Sequence, residues 1–122
     1  YAEKMRRYFK DNTYSKHINA SKEYIYSHIK ERITIEDLAD SLGVSASYLS
    51  RLFKKETGIS FTEYLVRHRI RKAKKLIKSG NSSFKEVADA VGYHDYVQFS
   101  KMFKKYAGVA PSIYRQASFK TE

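Results

Sequence analysis

Two six-residue stretches decide the fold: Leu38-Ala39-Asp40-Ser41-Leu42-Gly43 and Val87-Ala88-Asp89-Ala90-Val91-Gly92. Aliphatic, alanine, aspartate, small, aliphatic and glycine follow in the same order in both. Further along, Phe53-Lys54-Lys55-Glu56-Thr57-Gly58-Ile59 is answered by Phe103-Lys104-Lys105-Tyr106-Ala107-Gly108-Val109. The offset is 49 residues for the first pair and 50 for the second, so the second copy carries one inserted residue in its turn. Two copies are too few for a solenoid, and a duplicated supersecondary unit accounts for the pattern.

Around these blocks the chain carries helix signals. Thr34-Ile35-Glu36-Asp37, Ser60-Phe61-Thr62-Glu63, Ser83-Phe84-Lys85-Glu86 and Asp95-Tyr96-Val97-Gln98 each begin with a side chain that can accept from an orphan amide. The fourth residue of each can reach back to the first. Apolar residues follow at helical spacing: Ile35, Leu38, Ala39, Leu42; Phe61, Leu65, then Ile70, Ala73, Ile77; and Phe84, Val87, Ala88, Val91. Gly43, Gly58, Gly80, Gly92 and Gly108 sit just past predicted helices, where a left-handed residue closes the last turn. No strand alternation competes. Upstream, Asn19 to Arg32 reads as a helix with Tyr24, Ile25, His28 and Ile29 toward the core. Before it, Tyr1, Met5, Tyr8 and Phe9 read as a linker remnant, the alternative being a dimer or interdomain contact.

Each copy is therefore a short helix, a glycine-containing turn and a second helix, the helix-turn-helix layout. Leu49, Leu52 and Phe53, and in the second copy Phe99, Met102 and Phe103, fix the second helix to a core. Its other face carries Ser47, Ser50, Arg51 and Lys54 in one copy, and Gln98, Lys101, Lys104 and Lys105 in the other. Hydroxyls, an amide and cations are the groups that read a major groove. A solvated helix face would explain one copy, and its recurrence at equivalent positions favours the functional reading. The segment Ser60 to Lys78 would make a helix of about 28 Å, the order of the ~34 Å turn of B-DNA that separates successive grooves. It holds Arg67, Arg69, Arg71, Lys72, Lys74, Lys75 and Lys78, wrapped around the helix, so only some are expected near phosphates.

The expected fold is all-α: two helix-turn-helix subdomains joined by a long central helix. Residues 1–18 are read as the remnant of an upstream region, 19–59 as the first subdomain, 60–79 as the connecting helix and 80–118 as the second subdomain.

The composition agrees. With 122 residues and 42% hydrophobic content, a packed core is within reach; 24 Lys+Arg against 13 Asp+Glu leave a net charge of +11, which attracts a polyanion. The absence of cysteine excludes disulfides, thiol catalysis and thiolate metal sites, and fits a reducing cytoplasm. No apolar run approaches the ~20 residues of a membrane span, and no signal-peptide pattern appears. The chain opens on Tyr1 rather than Met and is read as part of something longer.

From about Asn19 to Gln116 the sequence resembles the AraC/XylS family of bacterial transcription regulators. The first unit carries the resemblance through Ile35–Gly43 and Ser47-Tyr48-Leu49-Ser50-Arg51-Leu52-Phe53-Lys54-Lys55-Glu56-Thr57-Gly58. The second carries it through Val87-Ala88, Gly92-Tyr93, Phe99-Ser100-Lys101-Met102-Phe103-Lys104-Lys105, Gly108, Pro111, Tyr114 and Arg115. The second unit is most similar to response-regulator-type members. The resemblance implies seven helices, the third and sixth being recognition helices and the fourth the connector. It implies sequence-specific binding of double-stranded DNA, an upstream sensor or receiver domain, RNA polymerase as a partner, and a cytoplasmic, nucleoid-associated location. By position, Ser47, Ser50 and Arg51 would face bases in the first half, and Tyr96, Val97, Gln98 and Lys101 in the second. Lys54, Lys55, Lys104 and His94 would clamp phosphates. A seventh helix, Pro111 to Gln116, would brace the second unit, with Arg115 structural. Two departures stand out. Ala110 replaces the usual Ser or Thr before the proline, so the last helix is expected to be less firmly anchored. Val97 offers only an apolar contact, such as to a thymine methyl.

Catalysis is not expected, nor a cofactor or metal: His17, His28, His68 and His94 show no ligand spacing, and no carboxylate pair sits beside a glycine-rich loop. The alternative is a nonspecific basic module for RNA, anionic membrane or bulk DNA. It is weakened because the basic connector lacks a clean apolar stripe opposite its charges.

Overall fold

The computed structural model describes residues 16–80 and 82–120, and every regular element among them is a helix. We number these α1 (16–27), α2 (Ile35–Leu42), α3 (Ala46–Thr57), α4 (Phe61–Ser79), α5 (Phe84–Ala90), α6 (Tyr96–Ala107) and α7 (Pro111–Lys120). The all-α expectation holds. The duplication is visible in the bounds: α5 begins 49 residues after α2, and α6 begins 50 after α3.

Local chemistry starts and stops these helices. Thr34 Oγ1 accepts from the Asp37 amide, Ser60 Oγ from Glu63, and Ser83 Oγ from Glu86. Asp95 accepts instead from Val97, one residue earlier in the turn. Each bond satisfies an orphan N–H at a helix start. α2, α3 and α6 end on a left-handed glycine, at Gly43, Gly58 and Gly108.

The chain divides into two compact units. Among the described residues the first comprises 16–28 together with Ile33–Glu63, and the second Ile29–Arg32 with 64–80 and 82–120. In the first unit, α1 buries Ile18, Ser21 and Ile25 along one face, α2 buries Leu38 and Ala39, and α3 buries Leu49, Leu52 and Phe53. Ser21 is fully buried but satisfied, its hydroxyl donating to the His17 carbonyl at 2.8 Å. Phe53 meets Phe61 edge-on, with ring centroids 5.8 Å apart.

In the second unit Ile70, Ala73 and Ile77 of α4 form a stripe that packs with Val87, Ala88, Val91, Tyr93, Phe99 and Phe103. Phe103 contacts Phe99 at 5.8 Å and Tyr114 of α7 at 5.5 Å, so truncating it would cost about 3–5 kcal/mol. No helix among the described residues is long and apolar enough to cross a membrane.

Two helices differ from the sequence expectation. α1 occupies 16–27 rather than extending to Arg32, and a turn follows it. Beyond its end the Glu31 carbonyl accepts from the Arg69 guanidinium at 2.8 Å. Ile25 and Ile29 are buried as expected, while Tyr24 and His28 are half-buried and stack on each other at 4.1 Å. α7 runs on to Lys120 instead of stopping at Gln116, and the Ser118 hydroxyl within it donates back to the Tyr114 carbonyl. Apart from residues 16–18, the upstream segment 1–18 with its Tyr1, Met5, Tyr8 and Phe9 stripe lies outside the described residues.

Candidate nucleic-acid interface

Two helices present the candidate residues, and each is described within its own unit. α3 is capped by Ser45, whose Oγ accepts from the Tyr48 amide at 3.1 Å. At the other end the Gly58 amide returns to the Lys54 carbonyl at 2.8 Å, and the Thr57 hydroxyl to that of Phe53 at 2.6 Å. With the core side held by Leu49, Leu52 and Phe53, helical geometry turns Ser47, Ser50, Arg51, Lys54 and Lys55 outward over an arc of about 140°. All five are exposed.

α6 repeats this arrangement. Phe99 and Phe103 are fully buried, while Val97, Gln98, Lys101, Lys104 and Lys105 are exposed on the opposite side over an arc of about 120°. Arg51 and Lys101 occupy equivalent positions at the middle of the two faces. Tyr96 does not join this group. It lies at the flank, 42% exposed, with its ring 6.1 Å from that of Phe99. His94 is exposed in the turn before the helix.

Tyr48 was not among the sequence candidates. Half-buried, it meets His17 of α1 edge-on at 6.3 Å and lines a shallow groove with Arg51, Leu52 and Lys55. The duplication carried the signal for it: at an offset of 50 residues Tyr48 corresponds to Gln98.

The connector helix sorts its cations. Arg69 is half-buried; besides bonding Glu31, it lies 5.5 Å from the Tyr93 ring. Burial lowers its pKa, opposed by the neighbouring Tyr93 phenol. The same burial raises the Tyr93 phenol, with Arg69 opposing. The Lys74 and Lys78 ammonium groups each approach the Tyr114 ring at 5.9 Å, and Arg67 lies 6.0 Å from the Tyr106 ring. Lys105 of α6 approaches that same Tyr106 ring at 5.5 Å. His68, expected on the basic face, is half-buried; burial first, and then Arg71, Lys72, Lys75 and Arg69, hold its pKa below the ordinary value.

The last helix is fastened by side chains in place of a strong cap. Pro111 is buried, and Arg115 donates to the Ser82 carbonyl at 2.6 Å with its guanidinium 4.3 Å from the Phe84 ring. α7 thereby grips the segment that leads into α5.

A family model described as a helix-turn-helix domain matches residues 38–117, more than half of the chain. The Msm operon regulatory protein of Streptococcus mutans is 34% identical over 100 residues, covering 82% of this chain and 36% of that protein. The chain thus spans less than half the length of this curated relative. Among solved structures, the C-terminal domain of AraT, a response regulator from Geobacillus stearothermophilus, superposes with a TM-score of 0.79 at 39% identity, covering 83% of this chain and 84% of that one. The DNA-binding domain of AdpA, a global transcriptional factor solved with a target DNA, reaches 0.75 at 27% identity, over 80% and 87% of the two chains. The paired units, their outward faces and these matches lead to one conclusion: the chain belongs to the AraC-type helix-turn-helix family.

Proposed function

We propose that the chain is the DNA-binding part of a bacterial transcription regulator, and that α3 and α6 each lay their outer face in a major groove. One observation carries this: exposed cations recur at equivalent positions, Arg51 and Lys101, Lys54 and Lys104, Lys55 and Lys105, on two helices whose opposite faces are sealed into a core. Arg51 is suited to a bidentate contact with guanine, beside Ser47 and Ser50. Val97, Gln98 and Lys101 read the second half, with Tyr96 at the flank of that face. Lys54, Lys55, His94 and Lys104 hold phosphates, positioning the helices without reading sequence. Within this reading the chain performs no catalysis. A sensor or receiver domain precedes it in the full-length protein, RNA polymerase is a partner, and the protein works at the nucleoid in the cytoplasm. The relatives' names as transcription regulators and the solved complex of AdpA with DNA support it.

The test is selection of bound duplexes from a random pool. Two short boxes should emerge, spaced so that successive major grooves are occupied from one face, and affinity should fall steeply with salt. Equal affinity for unrelated duplexes at moderate salt would overturn the reading in favour of nonspecific basic binding.

A further inference from the structure

We propose that the second half-site contains a thymine whose methyl group is read by Val97, whereas the first half-site has no such requirement at the equivalent position. The inference rests on α6 lying in a major groove and names what that helix selects.

Val97 is out of place by packing criteria. Among the described Val, Leu and Ile residues of α1 to α6, it is the one left exposed, at 60%. The core does not use it, since Phe99 and Phe103 hold the other side of α6. The helix start needs only its backbone, whose N–H donates to Asp95 at 2.9 Å. A β-branched residue there is also a poorer helix former than alanine.

Its surroundings name the partner. By helical register Lys104 and Lys101 lie within about 40° of Val97 around the axis, and both are exposed. An apolar protein groove or a lipid tail would have to strip water from these two ammonium groups. A polyanion accommodates them, and the apolar group that DNA displays in its major groove is the thymine C5-methyl. In α3 the corresponding position is Ser47, whose hydroxyl can donate or accept and gains nothing from a methyl.

The experiment uses the 122-residue chain and a duplex selected from a random pool, alongside a scrambled duplex of the same composition. Each thymine of the selected duplex is replaced in turn by deoxyuridine, which deletes only the methyl. One substitution, confined to one box, should weaken binding about fourfold, the worth of one buried methyl group. In the Val97→Ser chain, which copies position 47, the thymine and deoxyuridine forms of the selected duplex should bind alike. If the selected duplex outcompetes the scrambled one yet no deoxyuridine matters, or if the effect survives Val97→Ser, the methyl-reading inference is overturned while specific binding stands. If selected and scrambled duplexes bind equally, the groove-reading premise itself fails.

Discussion

Gly43 and Gly92 occupy the same place in the two turns, yet they should respond very differently to alanine. Both have positive φ, 71° and 96°, so alanine pays a left-handed strain of about 1–2 kcal/mol at either. Part of that, about 0.4–1 kcal/mol, returns because alanine restricts the unfolded chain. At Gly43 nothing lies within 4 Å of the added Cβ, leaving a net cost of about 1 kcal/mol. At Gly92 the Cβ would run into the backbone oxygen of Ile29 and come within 3.1 Å of the Arg69 guanidinium. A carbonyl fixed in the chain cannot swing away as a side-chain tip can. Overpacking adds about 1–3 kcal/mol, and more if Arg69 loses its bond to Glu31. We expect Gly92→Ala to cost about 2 kcal/mol more than Gly43→Ala. With a urea slope of about 1–3 kcal/mol/M, the midpoints should differ by roughly 1 M. Equal midpoints would refute the close approach of the Ile29–Arg32 segment to the second turn.

Other expectations concern single side chains. Arg51→Ala should cost about 1–3 kcal/mol on the selected duplex and relax base preference in one box, whereas Lys54→Ala should weaken all duplexes alike and flatten the salt slope by about one; an unchanged base profile for Arg51→Ala would remove its reading role. Arg115→Ala should destabilise by about 2–3 kcal/mol, since it deletes a charged hydrogen bond to Ser82 and the stacking on Phe84. Amide exchange in α5 should accelerate with it, and unaltered exchange there would show that α7 does not hold that segment. His68 is held neutral in the fold, so the unfolded chain takes up its proton first as pH falls through about 6.5. Stability should therefore drop from there until the lowered folded pKa is passed, and His68→Gln should flatten the urea midpoint's slope between about pH 7.5 and 5.5. A slope as steep as that of the unsubstituted chain would contradict the burial of that ring.

What could be read in the sequence was what is local or repeated. The caps at Thr34, Ser60, Ser83 and Asp95 act on amides two or three residues away, and a 3.6-residue period places Leu38 or Val87 on a core face without knowledge of the partner. The outward set of α3 follows from the same period. What escaped was set by distant contacts. The hold of Arg69 on the Glu31 carbonyl spans 38 residues. The Ser45 cap was overlooked because Tyr48, three residues on, is neither acid nor amide, although the cap needs only the hydroxyl. Tyr96 was placed among the base-facing residues by the family resemblance, while the turn of the helix carries it around to Phe99. Ala110 marked α7 as weakly capped, but Arg115 and Tyr114 reach across to partners that no local pattern names.

The rings that gather the cations have an electrostatic consequence. A lysine immobilised by a carboxylate has its charge cancelled, so rigidity is gained at the expense of the outward field. Tyr114 beneath Lys74 and Lys78, and Tyr106 beside Lys105, hold their cations through a quadrupole that carries no net charge. Those groups are steadied while the monopole they present to an approaching polyanion stays undiminished. The second unit is thereby built to attract at long range what its helices then read at short range.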